Sequence, residues 1–213
     1  MVRACIFDLD GTLLDTLQDL TNSVNAALAA CDFPQRSLDE VRAFVGNGVR
    51  RLMRRAVPDG TSDADYEKAY AYFLDVYERE KAHYTRPYAG VIDTVQALQA
   101  RGIRCAVLSN KNDDAVRALC AQYFPAVFEM TQGLCQGIAA KPAPDALFKI
   151  CERLGIAIDD AVYVGDSEVD VATAEAAGMR LIAVTWGFRS REALIEAGAH
   201  TLIDTPKDLL RLL

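Results

Sequence analysis

Residues 4–15 read Ala-Cys-Ile-Phe-Asp-Leu-Asp-Gly-Thr-Leu-Leu-Asp, and they constrain the fold more than any other stretch. Residues 4–7 are an unbroken apolar run, long enough for a strand buried on both faces. The run ends in two carboxylates, Asp8 and Asp10, followed by the turn formers Gly11 and Thr12. A chain that presents acids at the carboxyl end of a buried strand and then turns sharply suits an open parallel sheet, whose ligands bind along that edge. Two acids this close repel each other unless a cation lies between them or one takes a proton. Mg²⁺ suits the first solution, because it prefers carboxylate, carbonyl and water oxygens. An ionised Asp beside such an ion can attack the phosphorus of a phosphate ester. A second Asp can protonate the departing alcohol and later deprotonate the attacking water.

Behind this stretch the periodicity changes. Thr16 with Asp19 three residues on predicts a capping box, and residues 17–30 read as an Ala- and Leu-rich helix. Residues 38–56 repeat the helical pattern around a Gly46-Asn47-Gly48 interruption. Residues 66–84 carry Tyr66, Tyr70, Phe73, Leu74 and Tyr77 at helical spacing, a stripe read as helix packing. Pro87 marks a linker over 85–90. Beyond it strands are predicted at 104–108, 127–130, 161–164, 181–184 and 201–203. They alternate with helices at 91–100, 114–122, 145–154, 168–177 and 191–197, and Pro206 opens a last helix. Such alternation implies an α/β fold with a doubly wound parallel sheet. The core is expected from residues 1–15 and 87–213, with an all-helical cap inserted at 16–86.

A chain of 213 residues buries a sizeable core and still carries such an insertion. The net charge of −7 argues against nucleic acid as a partner. No apolar stretch reaches membrane-spanning length, so no membrane partner is expected either. With a strand beginning at residue 4 there is no room for a signal peptide. The six cysteines (5, 31, 105, 120, 135 and 151) form no CxxC pair, and His83 and His200 stand apart. A reducing cytoplasm is therefore expected, and a zinc site is not.

Three more stations carry chemistry. Ser109-Asn110 follows the strand predicted at 104–108, and a hydroxyl with backbone N–H groups there can hold phosphate oxygens. Lys141, kept extended by Pro142, can offset the charge of a phosphate and of the nucleophile. In Val164-Gly165-Asp166-Ser167-Glu168-Val169-Asp170 another strand ends in an acid. Asp166 either caps the following helix or brings a third carboxylate to the cation, and Asp170 lies one helical turn further on.

Taken in order, Asp8-Leu9-Asp10-Gly11-Thr12, Ser109-Asn110, Lys141-Pro142-Ala143-Pro144-Asp145 and Gly165-Asp166-Ser167 with Asp170 resemble the four motifs of the haloacid dehalogenase superfamily. The resemblance covers nearly the whole chain. It implies a Mg²⁺-dependent phosphatase acting on a small phosphorylated metabolite. The dehalogenases themselves lack the second Asp, so its presence points to phosphoryl chemistry. Asp8 is the implied nucleophile and Asp10 the acid/base, with Ser109 and Lys141 completing the catalytic set. Asp8, Asp10 through its carbonyl, Asp166 and, in support, Asp170 are implied around the metal, and Thr12 and Asn110 on the substrate.

The inserted helices look like the C1-type cap of phosphoglycolate phosphatases and β-phosphoglucomutases. Arg86-Pro87-Tyr88-Ala89-Gly90 is similar to the return linker, with Ala89 where Pro is frequent. The resemblance implies phosphoglycolate as the nearest family label for the substrate. A phosphosugar mutase, a nucleotidase and a pyrophosphatase share the scaffold and stay open, as does the oligomeric state. A receiver-type phospho-switch is disfavoured, because the second acid follows the first by two residues and a cap interrupts the sheet. Within the cap, Gly46, Asn47, Gly48, Arg50 and Arg51 form the expected recognition loop. Together with Arg54 and Arg55, the arginines otherwise read as a solvated helix face.

Overall fold

The computed structural model describes residues 2–80 and 82–213. The chain divides into two compact units, Met1–Leu14 with Pro87–Leu213, and Asp15–Arg86.

The first unit is built on β1 (Ala4–Phe7), whose four residues are essentially inaccessible to solvent. Two short segments, β2 (Leu14–Asp15) and β3 (Arg86–Pro87), pair with each other where the chain leaves and re-enters this unit. The remaining strands are β4 (Arg104–Asn112), β5 (Met130–Leu134), β6 (Ala161–Gly165), β7 (Arg180–Val184) and β8 (Leu202–Ile203). The order across the sheet is β5-β4-β1-β6-β7-β8, and every pairing is parallel. The chain winds outward from β1 through β4 to β5, then returns to β6 on the other side of β1. That reversal is the topological switch point, where open α/β sheets place their ligands.

The second unit holds α1 (Leu17–Ala29), α2 (Leu38–Phe44), α3 (Val49–Ala56) and α4 (Asp63–Glu80). The first unit adds α5 (Val91–Ala100), α6 (Asp113–Tyr123), α7 (Asp145–Leu154), α8 (Glu168–Ala177), α9 (Arg191–Glu196) and α10 (Leu209–Leu212). α7 and α8 lay Leu147, Ile150 and Ala174 against Ile6, Leu108 and Tyr163 of the sheet. Burying one large apolar side chain of this kind contributes about 1.5–3 kcal/mol. No helix among the described residues is long and apolar enough to cross a membrane.

Four local expectations are corrected. The capping box at Thr16 does not form. Asp19 instead turns its buried carboxylate to Tyr84 N–H, Thr85 N–H and the Thr85 hydroxyl, three donors that one N-cap could not match. β4 continues to Asn112 rather than stopping at 108: β5 pairs with it in register up to Leu108 and Gln132, and again at Asn112 and Leu134 beyond an irregularity that spans residues 109–111. The strand predicted at 127–130 begins only at Met130. The apolar Phe128 packs its ring on Phe7 and Phe124, while the polar Thr131 and Gln132 are tolerated in β5 because it is an edge strand. Finally, the stripe on α4 buries Tyr66, Phe73 and Tyr77 but leaves Leu74 exposed, and the helix reaches Glu80 rather than 84.

Candidate active site

Four strand ends of the first unit meet at the switch point. Asp8 leaves β1, Ser109, Asn110 and Lys111 lie in the last turn of pleat of β4, Lys141 follows β5, and Asp166 follows β6. Asp8, Lys141, Asp166 and Asp170 are all buried.

Lys141 links the acids. Its Nζ lies 2.9 Å from Asp8 Oδ1, donates to Asp170 Oδ1 at 2.7 Å and to the Tyr163 hydroxyl at 2.9 Å. Three ammonium hydrogens thus meet three acceptors. Asn110, expected on the substrate, is instead shown with its carboxamide on both sides of the Lys141 backbone. It accepts from Lys141 N–H at 2.8 Å and donates to Lys141 C=O at 3.0 Å. The Ser109 hydroxyl accepts from Lys111 N–H at 3.3 Å.

Asp166 stands in a fitted slot. Its Oδ2 accepts from Phe188 N–H at 2.7 Å and its Oδ1 from the Thr12 hydroxyl at 3.2 Å. Thr12, expected on the substrate, therefore helps to hold this acid, and its carbonyl accepts from the Trp186 indole at 3.0 Å. A β-carbon on Gly11 or on Gly187 would overlap the Asp166 side chain. Gly11 also has φ +87°, a conformation that only glycine adopts freely. Asp166 does not cap α8. Ser167 does, in a capping box with Asp170. Asp170 is consequently crowded: Oδ1 accepts from Lys141 and Tyr163, Oδ2 from Asp166 N–H, Ser167 N–H and the Ser167 hydroxyl.

Carboxylate oxygens of Asp8, Asp166 and Asp170 lie within 4.8 Å of one another. Burial, then the charge of Asp170, raises the Asp8 carboxyl to about 7 even though Lys141 pulls the other way. Burial and the charges of Asp170 and Asp8 push Asp166 up as well. Burial alone would lower Lys141, but Asp170 and Asp8 outweigh it and hold the ammonium charged. Counting Asp10, four carboxylates face the two ammoniums of Lys141 and Lys111. If all are ionised, two negative charges remain, the amount that one divalent cation neutralises. An all-oxygen donor set of this kind fits a hard divalent ion.

Two further residues complete the site, Tyr163 and Lys111. Tyr163 reads as one more apolar strand residue. Lys111 lies beyond the strand end expected at 108, where no periodicity marks it. It is in fact buried, with its ammonium 2.8 and 2.9 Å from the two oxygens of Asp10. The sequence signal was Lys111 following Ser109-Asn110 directly, two residues further along one extended chain.

The cap residues belong to the second unit. Gly48 precedes α3 with φ 80°, and Asn47 Oδ1 accepts from Arg51 at 2.9 Å. Arg50 is bound to Glu67 at 2.7 Å and lies over the Tyr70 ring. Arg54 lies over Tyr66 and pairs with Asp63, and Arg55 donates to the Phe44 carbonyl. Of the two arginines expected in recognition, Arg50 already has a carboxylate partner, whereas Arg51 is held by the neutral Asn47.

The parallel sheet brings buried acids and a lysine together at its switch point, the edge where open α/β sheets place their ligands and where an α/β hydrolytic enzyme would carry its site. The haloacid dehalogenase-like hydrolase model matches residues 5–184, and the chain belongs to that family. Among its relatives, phosphoglycolate phosphatase 1 of Pseudomonas aeruginosa is 36% identical over 214 residues, covering 98% of this chain and 78% of that one. The phosphoglycolate phosphatase of Chromobacterium violaceum is 32% identical, covering 100% and 96%. A crystal structure of a predicted phosphoglycolate phosphatase from Haemophilus somnus superposes with a TM-score of 0.93 at 27% identity, covering 99% of this chain and 97% of that one.

Proposed function

We propose that this protein is a Mg²⁺-dependent phosphatase that hydrolyses a small phosphomonoester of the phosphoglycolate type through an aspartyl-phosphate. The observation that carries this reading is the pairing of each motif acid with its own lysine, Asp8 with Lys141 and Asp10 with Lys111, beside a third carboxylate, Asp166. The names of the relatives supply the substrate type.

An Asp8 carboxylate oxygen attacks phosphorus, and the ester P–O bond breaks with its electron pair on the alcohol oxygen. That oxygen takes a proton from the Asp10 carboxyl. Water then attacks phosphorus, gives a proton to Asp10, and releases inorganic phosphate and the free Asp8 carboxylate. Lys141 offsets charge on Asp8 and the transferred phosphoryl group, with Ser109 beside it. Asp8, Asp166 and the Asp10 carbonyl would hold Mg²⁺, with Asp170 supporting Lys141 and the turn after β6. Bound there, Mg²⁺ would lower the repulsion between Asp8 and the incoming phosphate. Recognition of the second anionic group falls to the segment Gly46, Asn47, Gly48, Arg50 and Arg51, with Arg51 foremost.

A panel of phosphate esters assayed with Mg²⁺ tests this. Mg²⁺-dependent release of phosphate from 2-phosphoglycolate is expected. Turnover that survives EDTA, or a panel in which no ester is hydrolysed, overturns it.

A further inference from the structure

Asp10 sits in the turn after β1, bridged to Leu14, and its carboxylate needs a partner to fix its plane. Lys111 is that partner, from another strand. Its ammonium meets both Asp10 oxygens at nearly equal distance, 2.8 and 2.9 Å. Lys111 is itself held near the end of β4, in the stretch where the register with β5 shifts. Its N–H donates to the Ser109 hydroxyl, and its side chain is 2% exposed. The partner strand presses close, since a β-carbon on Gly133 of β5 would overlap the Lys111 carbonyl and the Asp113 backbone.

An ammonium has donors only. It can hold a carboxylate by both oxygens, but it offers no acceptor to the O–H of a carboxylic acid. The geometry therefore suits the ionised Asp10 that the first half of the proposed cycle leaves behind. We propose that Lys111 is a positioning residue for the second half: it holds the Asp10 carboxylate where it takes a proton from the water that attacks phospho-Asp8. This inference rests on the phosphatase reading given above. Misplacing a proton acceptor by about 1 Å costs on the order of 100-fold, so hydrolysis of the intermediate is the step that Lys111 controls.

The test is pre-steady-state kinetics with p-nitrophenyl phosphate, whose leaving group needs little protonation. In Lys111→Met the first turnover should release nearly one p-nitrophenolate per enzyme as a burst, followed by steady turnover lowered about 10- to 100-fold. Slowing only the second step lowers kcat and KM together, so kcat/KM should fall by less than about threefold. Lys111→Gln keeps a donor for one Asp10 oxygen and serves if Lys111→Met does not fold; it should show the same burst with a smaller loss. Adding Lys111→Met to Asp10→Asn should cost nothing further. A loss of kcat/KM without a burst, or independent losses in the double variant, overturns the inference and leaves the phosphatase reading standing. Absence of any turnover by the unaltered protein sinks both.

Discussion

Asp8 and the residues around it set the sharpest expectations. Asp8→Asn keeps the shape and removes the anionic oxygen, while Lys141 retains Asp170 and Tyr163. Turnover of every phosphate ester should fall about 10⁴-fold or more with the circular dichroism spectrum retained. Gly187→Ala would force a methyl into the Asp166 slot. The Mg²⁺ concentration for half-maximal activity should then rise about 10- to 100-fold, as when the supports of a metal ligand are disturbed; an unaltered Mg²⁺ titration would show that the 185–190 loop yields. Arg51→Ala should raise KM for 2-phosphoglycolate about tenfold, the cost of losing one charge-assisted contact of about 1.4 kcal/mol, and barely affect p-nitrophenyl phosphate. Equal effects on both esters would remove Arg51 from recognition. Asp8, Asp10 and Asp166 were legible because each stands at or just after the end of an apolar run, and Lys141 because it stands before Pro142 in a Lys-Pro-x-Pro-Asp sequence. Lys111 and Tyr163 were not, because a lysine's partner and a buried hydroxyl's partner depend on which strand lies next door.

At the scale of elements, most helices and strands appear where the periodicity puts them, and α7 and α8 coincide with their predicted bounds, 145–154 and 168–177. Two of the misses share one cause: the local signal was outweighed by a partner distant in sequence. Asp19 looks like the third residue of a capping box, yet its carboxylate serves Tyr84 and Thr85 across 65 and 66 residues. Asp19→Ala leaves the buried Thr85 N–H and hydroxyl, and the part-buried Tyr84 N–H, without this acceptor. It should destabilise the protein by about 3 kcal/mol, read as a shift of the urea midpoint with an unchanged slope. A shift below about 0.5 kcal/mol would mean that water replaces the carboxylate. β4 outran its predicted end for the same kind of reason, since β5 pairs with it again at Asn112, beyond the irregularity that follows Leu108.

Across the whole molecule, the excess of acid at the switch point couples stability to pH and metal. Asp8 is raised from 3.8 to about 7 by burial and by Asp170, against the pull of Lys141, and Asp166 shifts in the same direction. The folded protein therefore holds protons more tightly than the unfolded chain. The resulting stabilisation is complete below the unfolded value and is lost as pH rises through about 7. In EDTA the Tm should fall between about pH 5 and pH 7.5. With Mg²⁺ the decline should flatten or reverse, because the cation takes the place of the proton and binds only the folded site. A metal-free Tm that climbs over this range, or one that Mg²⁺ leaves unaltered at the upper end, would contradict a divalent site. The alternation of apolar runs and helices, and the acids at the ends of those runs, are local properties of the chain. They sufficed for an α/β sheet, an inserted helical unit and the motif acids. Which acid meets which lysine was decided only by tertiary structure. Strand order and register bring Lys111 to Asp10 across 101 residues and Lys141 to Asp170 across 29. Burial then makes those pairings obligatory, because a charge withdrawn from water needs an opposite charge or a proton.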